Sequence, residues 1–175
     1  MSTIAAPILI TVMMAFLVLG TASIQQTQTV LTLSTQQAAV AAAARVHTII
    51  QMLSAAVTGG SALSLSVRNA GDVAISDFGH ADVIVDYTGI AGVDPFDRPI
   101  AEHVVTRLAY TAGTPAAGQW RVAAINPDTL HPTIWNPGEV LTLAATLPKP
   151  AMPGVPGAAV FATPNGVTTS AYFTL

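Results

Sequence analysis

The sequence has 175 residues, a net charge of −3 and no cysteine. The lack of cysteine excludes a disulfide framework, a thiolate nucleophile and thiolate metal sites, and a small net charge without a basic cluster argues against nucleic-acid binding. Charged residues make up only 9% of the chain, whereas soluble globular domains contain about 25%. We therefore expect the chain to be surrounded by copies of itself or by a partner.

The N-terminal stretch is apolar and free of charge. Residues 4–44 contain no Asp, Glu, Lys, Arg or His, and residues 4–24 are long enough to cross a bilayer as a helix. The helical pattern continues to residue 57 and ends before Gly59 and Gly60, since glycine commonly follows a last helical turn. A helix over residues 3–57 would be about 80 Å long and would protrude from the rest of the chain.

The second half of this stretch, residues 25–44, is rich in alanine and glutamine. A plain membrane anchor has no use for it outside the bilayer, but small side chains let identical helices pack closely, and charges buried there would be costly. We therefore expect polymerisation through a bundled core of N-terminal helices. The apolar residues expected at that interface are Ile4, Ile8, Leu9, Val12, Met13, Phe16, Leu17, Leu19, Ile24, Leu31 and Val40.

From residue 62 onward the pattern changes to the period of two that indicates half-buried strands. Turn clusters rich in Gly, Pro and Asn separate the strand-like runs, and residues 148–157 form a proline-rich loop that cannot be a central strand. About eight short strands without a second helical pattern predict an antiparallel β-sandwich or barrel. The predicted strands are residues 63–68, 73–76, 81–87, 103–110, 119–125, 139–146, 158–163 and 167–174.

The predicted fold class is therefore α+β, with two domains. Residues 1–60 form a long N-terminal polymerisation helix, and residues 61–175 form an antiparallel, immunoglobulin-like β-sandwich head that becomes the outer domain of an assembly.

No pattern in the chain nominates a catalytic site. The four histidines have no metal-ligand spacing, and no nucleophile motif, phosphate loop or dinucleotide fingerprint occurs. Acidic residues such as Asp94 and Asp97 could supply oxygen ligands to a hard cation, but they match no calcium-loop spacing and aspartate is common in turns. We predict no catalytic, cofactor-binding or metal site, and a chain that is not an enzyme.

Two segments of the head resemble archaellins, the archaeal flagellins of the type IV pilin superfamily. Residues 66–75, Ser-Val-Arg-Asn-Ala-Gly-Asp-Val-Ala-Ile, look like the family's Asn-x-Gly turn, and residues 135–143, Trp-Asn-Pro-Gly-Glu-Val-Leu-Thr-Leu, look like its Pro-Gly-Glu strand start. The charge-free N-terminal stretch followed by a β-rich head is similar too. Ala5 stands where bacterial type IV pilins keep a glutamate, which favours the archaellin side of the superfamily.

The resemblance implies a helical surface filament of many identical subunits, of the archaellum type. It further implies insertion in the cell membrane before assembly, processing by a prepilin-type peptidase, and contact with a filament motor and assembly platform. An adhesive type IV pilus subunit has the same build. A membrane-anchored accessory or stator protein that does not polymerise is another alternative, and a membrane-tethered enzyme or binding module is a third.

Overall fold

The computed structural model describes residues 36, 38–40, 42–43, 45–128 and 131–175. Residues 44–175 form one compact unit, which we call the β unit, and the preceding residues belong to a separate unit. The described residues between 36 and 47 have helical backbone.

The β unit contains eight strands and one short 3-10 turn, Phe78–His80. The strands in chain order are β1 (Ile50–Thr58), β2 (Ala62–Asn69), β3 (Asp82–Val93), β4 (Pro99–Tyr110), β5 (Gln119–Asn126), β6 (Val140–Thr146), β7 (Gly157–Ala162) and β8 (Thr168–Phe173). They form one sheet in the order β1-β2-β6-β5-β4-β3-β7-β8.

The sheet nearly closes on itself. All neighbouring strands are antiparallel except β4 and β5, which join through a short parallel ladder that begins at Ala109 and Gln119. At the other side, the backbone N–H of Met52 in β1 donates a 3.0 Å hydrogen bond to Thr169 Oγ1 in β8. Two four-stranded halves, β1-β2-β6-β5 and β4-β3-β7-β8, thereby enclose one core, as in a sandwich.

The core is built around three aromatic side chains that solvent does not reach. Trp120, Trp135 and Phe161 each have 0% exposure, and the Phe161 ring lies 6.1 Å from each tryptophan ring in edge-on contacts. Trp120 comes from β5 in one half and Phe161 from β7 in the other, so these contacts hold the halves together. Burial of each large apolar side chain contributes roughly 1.5–3 kcal/mol.

The predicted fold class is wrong. Residues 50–57, predicted as the last turns of a long helix, form β1. Gly59 and Gly60 have φ angles of +57° and +80° and make the hairpin turn into β2, a role in which glycine is favoured because it adopts positive φ at little cost. Within the described part of the chain, helix occurs only between residues 36 and 47 and in the 3-10 turn. The β unit is otherwise a nearly closed eight-stranded sheet with its connecting loops.

A β-bulge explains why β1 resembles a helix in sequence. Ile50 and Val57 are both buried, although residues seven apart point to opposite faces of a regular strand. The register slips between Met52 and Ser54, so Leu53 is the extra residue and is 49% exposed. Because of this one extra residue, Ile50 and Val57 both point to the core. Apolar residues seven apart also lie on one face of a helix, so the same spacing predicts a helix when it is judged from sequence alone.

Seven of the eight predicted strands are confirmed, with shifted ends. Residues 73–76 do not form a strand, and only Ile75 makes an isolated bridge there, to Trp135. The proline-rich loop is also confirmed, because it lies between the end of β6 and the start of β7.

Candidate functional site and assembly interface

The segment that leads into β1 is held by the Asn-x-Gly turn after β2. The N–H groups of Ala70 and Asp72 donate to the carbonyls of Ile49 and His47, at 2.8 and 3.0 Å. Between them Gly71 lies so close that a Cβ there would be 2.4 Å from His47 O and 2.5 Å from Ile49 N. A glycine is required at this position because any side chain would collide with backbone.

A second turn, after β7, holds the same segment from another side. Asn165 Nδ2 donates to Thr48 Oγ1 at 2.7 Å, and Arg45 Nε donates to Asn165 O at 2.6 Å. Thr163 Oγ1 donates to Asn165 Oδ1 at 2.5 Å, which orients the amide. Thr48 is only 3% exposed. Residues 45–50, which begin the β unit, are thus held by two of its turns, and we call them the junction segment.

Asn69 connects the two archaellin-like segments inside the β unit. Its side chain is fully buried; Nδ2 donates to Val73 O at 2.8 Å and Trp135 O at 3.2 Å, and Oδ1 accepts from Gly71 N–H at 3.1 Å. Its backbone N–H donates to Glu139 O at 3.0 Å. The two segments, separated in sequence, therefore form one hydrogen-bonded cluster beneath the junction segment.

Glu139 is a buried carboxylate in this cluster, with 4% exposure. Its Oε2 accepts from Asn136 N–H at 2.8 Å, its Oε1 accepts from Asn136 Nδ2 at 3.2 Å, and its carbonyl accepts from Trp135 Nε1 at 2.9 Å. Hydrogen bonds from amides offset the cost of removing a carboxylate from water. We assign Glu139 a structural role.

The turn between β3 and β4, residues 94–98, presents an exposed aromatic ring. The Asp94 carboxylate accepts from the N–H groups of Phe96 and Arg98, at 2.8 and 2.9 Å, and from Arg98 Nε at 2.7 Å. The Arg98 guanidinium stacks 5.4 Å from the Phe96 ring centre, and Phe96 is 77% exposed. We call this turn the hairpin tip; its hydrogen bonds give it a defined shape.

The hairpin tip is expected to loosen in acid. Hydrogen bonds from the Arg98 backbone N–H, then from its side chain and from Phe96 N–H, lower the pKa of Asp94. Because the folded-state pKa lies below the unfolded one, the stabilisation is complete above the ordinary aspartate pKa and is lost as pH falls through the lowered value. In an NMR titration the Phe96 and Arg98 amide shifts should move with a midpoint below that of an unfolded aspartate; a midpoint at the ordinary value would contradict this.

A shallow cleft of about 250 Å³ lies between residues 73–77 and 164–165. Val73 and Ile75 contribute apolar surface. Asp77 contributes a carboxylate that is 58% exposed and lies 2.7 Å from His80 Nδ1. The cleft therefore combines an apolar wall with one negative charge at its rim.

Among the described residues, β4 leaves most of one edge without a partner strand. β4 pairs with β5 only at Ala109 and Tyr110, so in the part of the chain that the structure describes, residues 99–107 lack a neighbouring strand on the side away from β3. Val105, in the middle of this edge, is 61% exposed. Open strand edges are common places for another chain to add.

The ionisable residues form pairs rather than clusters. Three histidines each lie beside one aspartate: His47 and Asp72 at 3.7 Å, His80 and Asp77 at 2.7 Å, and His103 and Asp86 at 2.6 Å. Among the described residues, no three His, Asp or Glu side chains converge on a position that could hold a metal ion. Asp94, a candidate cation ligand in the sequence, binds Arg98 instead.

Of the predicted polymerisation residues, only Val40 lies in the described part of the chain, at a helical position with 65% exposure. Within the described residues no helix has the length and hydropathy needed to span a membrane. The residues that lie outside the described ones are Ile4, Ile8, Leu9, Val12, Met13, Phe16, Leu17, Leu19, Ile24 and Leu31.

Sequence reasoning missed the hairpin tip and the cleft. The segment Asp-Pro-Phe-Asp at residues 94–97 was a visible signal, because two aspartates around Pro and Phe favour a tight turn with an exposed ring. The cleft had no signal in sequence, since its two sides are about 90 residues apart in the chain.

No protein-family model matches the chain, and no curated protein matches it. Solved structures do. The archaellum periplasmic stator protein FlaG from Sulfolobus acidocaldarius matches 72% of this chain and 99% of its own, with 21% identity and a TM-score of 0.51. One chain of the FlaF–FlaG stator complex of the same organism matches 71% of this chain over 87% of its own length, at 20% identity and a TM-score of 0.51.

The archaeal flagellum of Methanospirillum hungatei strain JF1 matches along a greater length. It covers 100% of this chain and 94% of its own, with 14% identity and a TM-score of 0.54. At these identities the likeness establishes the fold and nothing finer. The sequence-based resemblance to archaellins is supported as a likeness of fold to archaellum components, and the archaellin identity itself stays a prediction.

Proposed function

We propose that this chain is a structural component of an archaellum, and that it serves there as a subunit of the filament. The observation that carries the proposal is the likeness to the archaeal flagellum of Methanospirillum hungatei, which extends over 100% of this chain rather than over the β unit alone. A fold by itself does not define a function, but the features of the chain agree with this role.

A low surface charge is one such feature. With 9% charged residues, and with Asp82 and Asp94 paired to Arg107 and Arg98, the chain has little charge repulsion to oppose close packing with copies of itself. The junction segment is a second feature that agrees with this role. A filament subunit carries load between its N-terminal region and its outer domain, and the hydrogen bonds from two turns to the junction segment would resist its detachment under that load.

In the filament, the apolar N-terminal residues from Ile4 to Val40 named above would pack against the same residues of neighbouring subunits. Contacts of this kind are heterologous and do not close, so they generate a helix rather than a ring. The same apolar residues would hold the subunit in the cell membrane before assembly, and a prepilin-type peptidase and a filament motor with its assembly platform would act on it. The subunit itself would have no catalytic step.

A second candidate is a component of the periplasmic stator of the same machine. The likeness to FlaG favours it, because that likeness has the higher identity, 21%, and includes 99% of the FlaG chain. A stator component would stay at the cell envelope and would bear torque through the β unit rather than polymerise along a filament.

One experiment separates the two candidates. The chain is deleted in its own host, and filaments sheared from wild-type cells are analysed by electron microscopy and mass spectrometry. A filament subunit is abundant in the sheared material, and its deletion removes the filaments. A stator component is absent from sheared material, and its deletion leaves filaments that do not rotate. Normal filaments and normal swimming after deletion would contradict the archaellum role altogether.

A further inference from the structure

The turn after β7 contains the one asparagine of the chain that precedes a glycine. Of the four asparagines, Asn126 and Asn136 precede proline, Asn69 precedes alanine, and Asn165 precedes Gly166. An asparagine side chain deamidates when the backbone nitrogen of the next residue attacks its amide carbon. Glycine has no Cβ to obstruct this attack, whereas proline has no N–H and cannot react in this way. Asn165 is therefore the position at which the reaction is chemically favoured.

Deamidation at Asn165 needs no reactant other than water. Gly166 N forms a bond to Asn165 Cγ, the Cγ–Nδ2 bond breaks, and Nδ2 leaves as ammonia with the proton of the Gly166 N–H. Water then opens the five-membered imide at one of its two carbonyl carbons. Opening at Cγ gives aspartate. Opening at the backbone carbonyl gives an isoaspartyl link, in which the chain continues through Cβ and Cγ.

In the β unit, neighbouring groups hold the atoms that this reaction uses. Asn165 Nδ2 donates to Thr48 Oγ1 at 2.7 Å, and Asn165 Oδ1 accepts from Thr163 Oγ1 at 2.5 Å. The Gly166 N–H donates to Thr163 O at 2.8 Å. Cyclisation has to break the Gly166 hydrogen bond, because that proton leaves, and it has to separate Nδ2 from Thr48. These hydrogen bonds therefore oppose the reaction.

Arg45 lies against the same peptide link. Its Nε donates to Asn165 O at 2.6 Å, and a Cβ on Gly166 would be 3.3 Å from its Nη2. Gly166 has a φ angle of +83°, a conformation that favours glycine, so the turn keeps the residue that makes deamidation possible. Because Arg45 and Thr48 both belong to the junction segment, its detachment removes both partners of Asn165 together.

We propose that Asn165 is a modification site controlled by the junction segment. While the junction segment is bound, deamidation is blocked, and when the segment detaches, deamidation proceeds. Hydrogen-bonded segments open locally in folded proteins at a lower free energy than global unfolding. Both products lack the Nδ2 donor to Thr48, and in the isoaspartyl product the carbonyl that accepts from Arg45 becomes part of a free carboxylate. The reaction does not reverse in water, so it marks chains whose junction segment has detached.

Peptide mass spectrometry of the full-length chain tests this proposal. The chain is incubated in detergent at mildly alkaline pH or in guanidinium chloride at the same pH, and deamidation at residue 165 is followed with time. We expect the folded chain to react about ten-fold more slowly than the unfolded chain, since several hydrogen bonds must open first. Equal rates in the two conditions would overturn the proposal.

Two variants weaken the contacts of the junction segment with Asn165. Thr48→Val removes the hydroxyl and keeps the shape of the side chain, and Arg45→Gln removes the guanidinium from an exposed residue. In the folded state each should deamidate several-fold faster than the wild type. Thr169→Val is the matched control, because Thr169 Oγ1 accepts from the Met52 N–H, and it should leave the rate unchanged.

Tryptophan fluorescence confirms that each variant is folded before rates are compared, and Arg45→Gln keeps the test available if the buried Thr48→Val change prevents folding. Wild-type rates in the folded junction variants would overturn the proposal. So would an equal acceleration by Thr169→Val, since that would trace the effect to general loosening of the β unit. The proposal goes beyond the proposed function and does not depend on it: these rates come from the purified chain, whereas deletion in the host tests the archaellum role.

Discussion

Replacing Asn69 with alanine is expected to lower the free energy of unfolding of the β unit by about 3 kcal/mol. The substitution removes three hydrogen bonds and leaves Val73 O and Gly71 N–H without their side-chain partner, whereas Trp135 O keeps its hydrogen bond from the Ile75 N–H. Each buried polar group left unsatisfied costs about 1–3 kcal/mol, and partial relaxation keeps the total near the lower part of the summed range. The loss should be large because Asn69 itself is fully buried.

Urea unfolding of the full chain, followed by tryptophan fluorescence, measures this loss. Both tryptophans are buried, with 0% exposure, so their emission reports unfolding of the β unit directly. Ser64→Ala is the matched control, because Ser64 is exposed on the same strand, β2, and should change the unfolding free energy by less than about 0.5 kcal/mol. Similar midpoints for the two variants would show that the Asn69 cluster does not stabilise the unit as described.

Replacing Phe16 with aspartate is expected to abolish filament assembly while the β unit stays folded. Under the proposed function, Phe16 packs among neighbouring subunits, and its burial contributes roughly 1.5–3 kcal/mol per subunit. Aspartate removes that contribution and adds an unpaired carboxylate to an apolar interior, which costs several kcal/mol more. The penalty recurs at every subunit, so assembly should fail completely.

Electron microscopy of material sheared from cells that express the variant measures this effect. Phe16→Leu keeps an apolar side chain and should assemble. The tryptophan emission of the purified Phe16→Asp chain should match that of the wild type, because the substitution lies outside the β unit. Filaments at normal yield from Phe16→Asp would refute packing of the N-terminal residues in the filament core, and loss of filaments from both variants would point to a tight steric requirement instead of burial.

Most of the sheet could be predicted because its strands alternate regularly. In β2, Leu63, Leu65 and Val67 are buried while Ser64 and Arg68 are exposed, the pattern that the sequence shows directly. Such strands can be predicted without knowledge of distant residues, since the side chains of one strand alternate between core and solvent. The same reasoning placed the proline-rich loop between β6 and β7 correctly.

β1 could not be predicted, because its pattern depends on its neighbours. The extra residue Leu53 restores Ile50 and Val57 to the same face, and a bulge is decided by pairing with β2 rather than by local sequence. When the pairing with β2 is not known, the apolar and small uncharged residues of β1 are predicted to continue the preceding helix. The extended β3–β4 hairpin was likewise underestimated, since near its tip Val93 and Ile100 are apolar but exposed.

The candidate site shows the same division. The two archaellin-like segments were identified from sequence, as a turn and as the start of a strand. That they meet, with Asn69 bonded to Trp135 and Glu139, depends on β2 and β6 being neighbours in the sheet. The cleft depends in the same way on the loop before β3 meeting the loop after β7.

By itself, the sequence determined the shortage of charge, the apolar N-terminal stretch, seven of the strands and the turns between them, because each follows from local composition or a period of two. Only the tertiary structure decided that β1 is a strand, that the sheet nearly closes, that the hairpin tip presents an exposed ring, and that two loops distant in the chain line one cleft. The reason is that these features depend on contacts between residues far apart in the chain. Local sequence patterns do not indicate which strands become neighbours in the sheet.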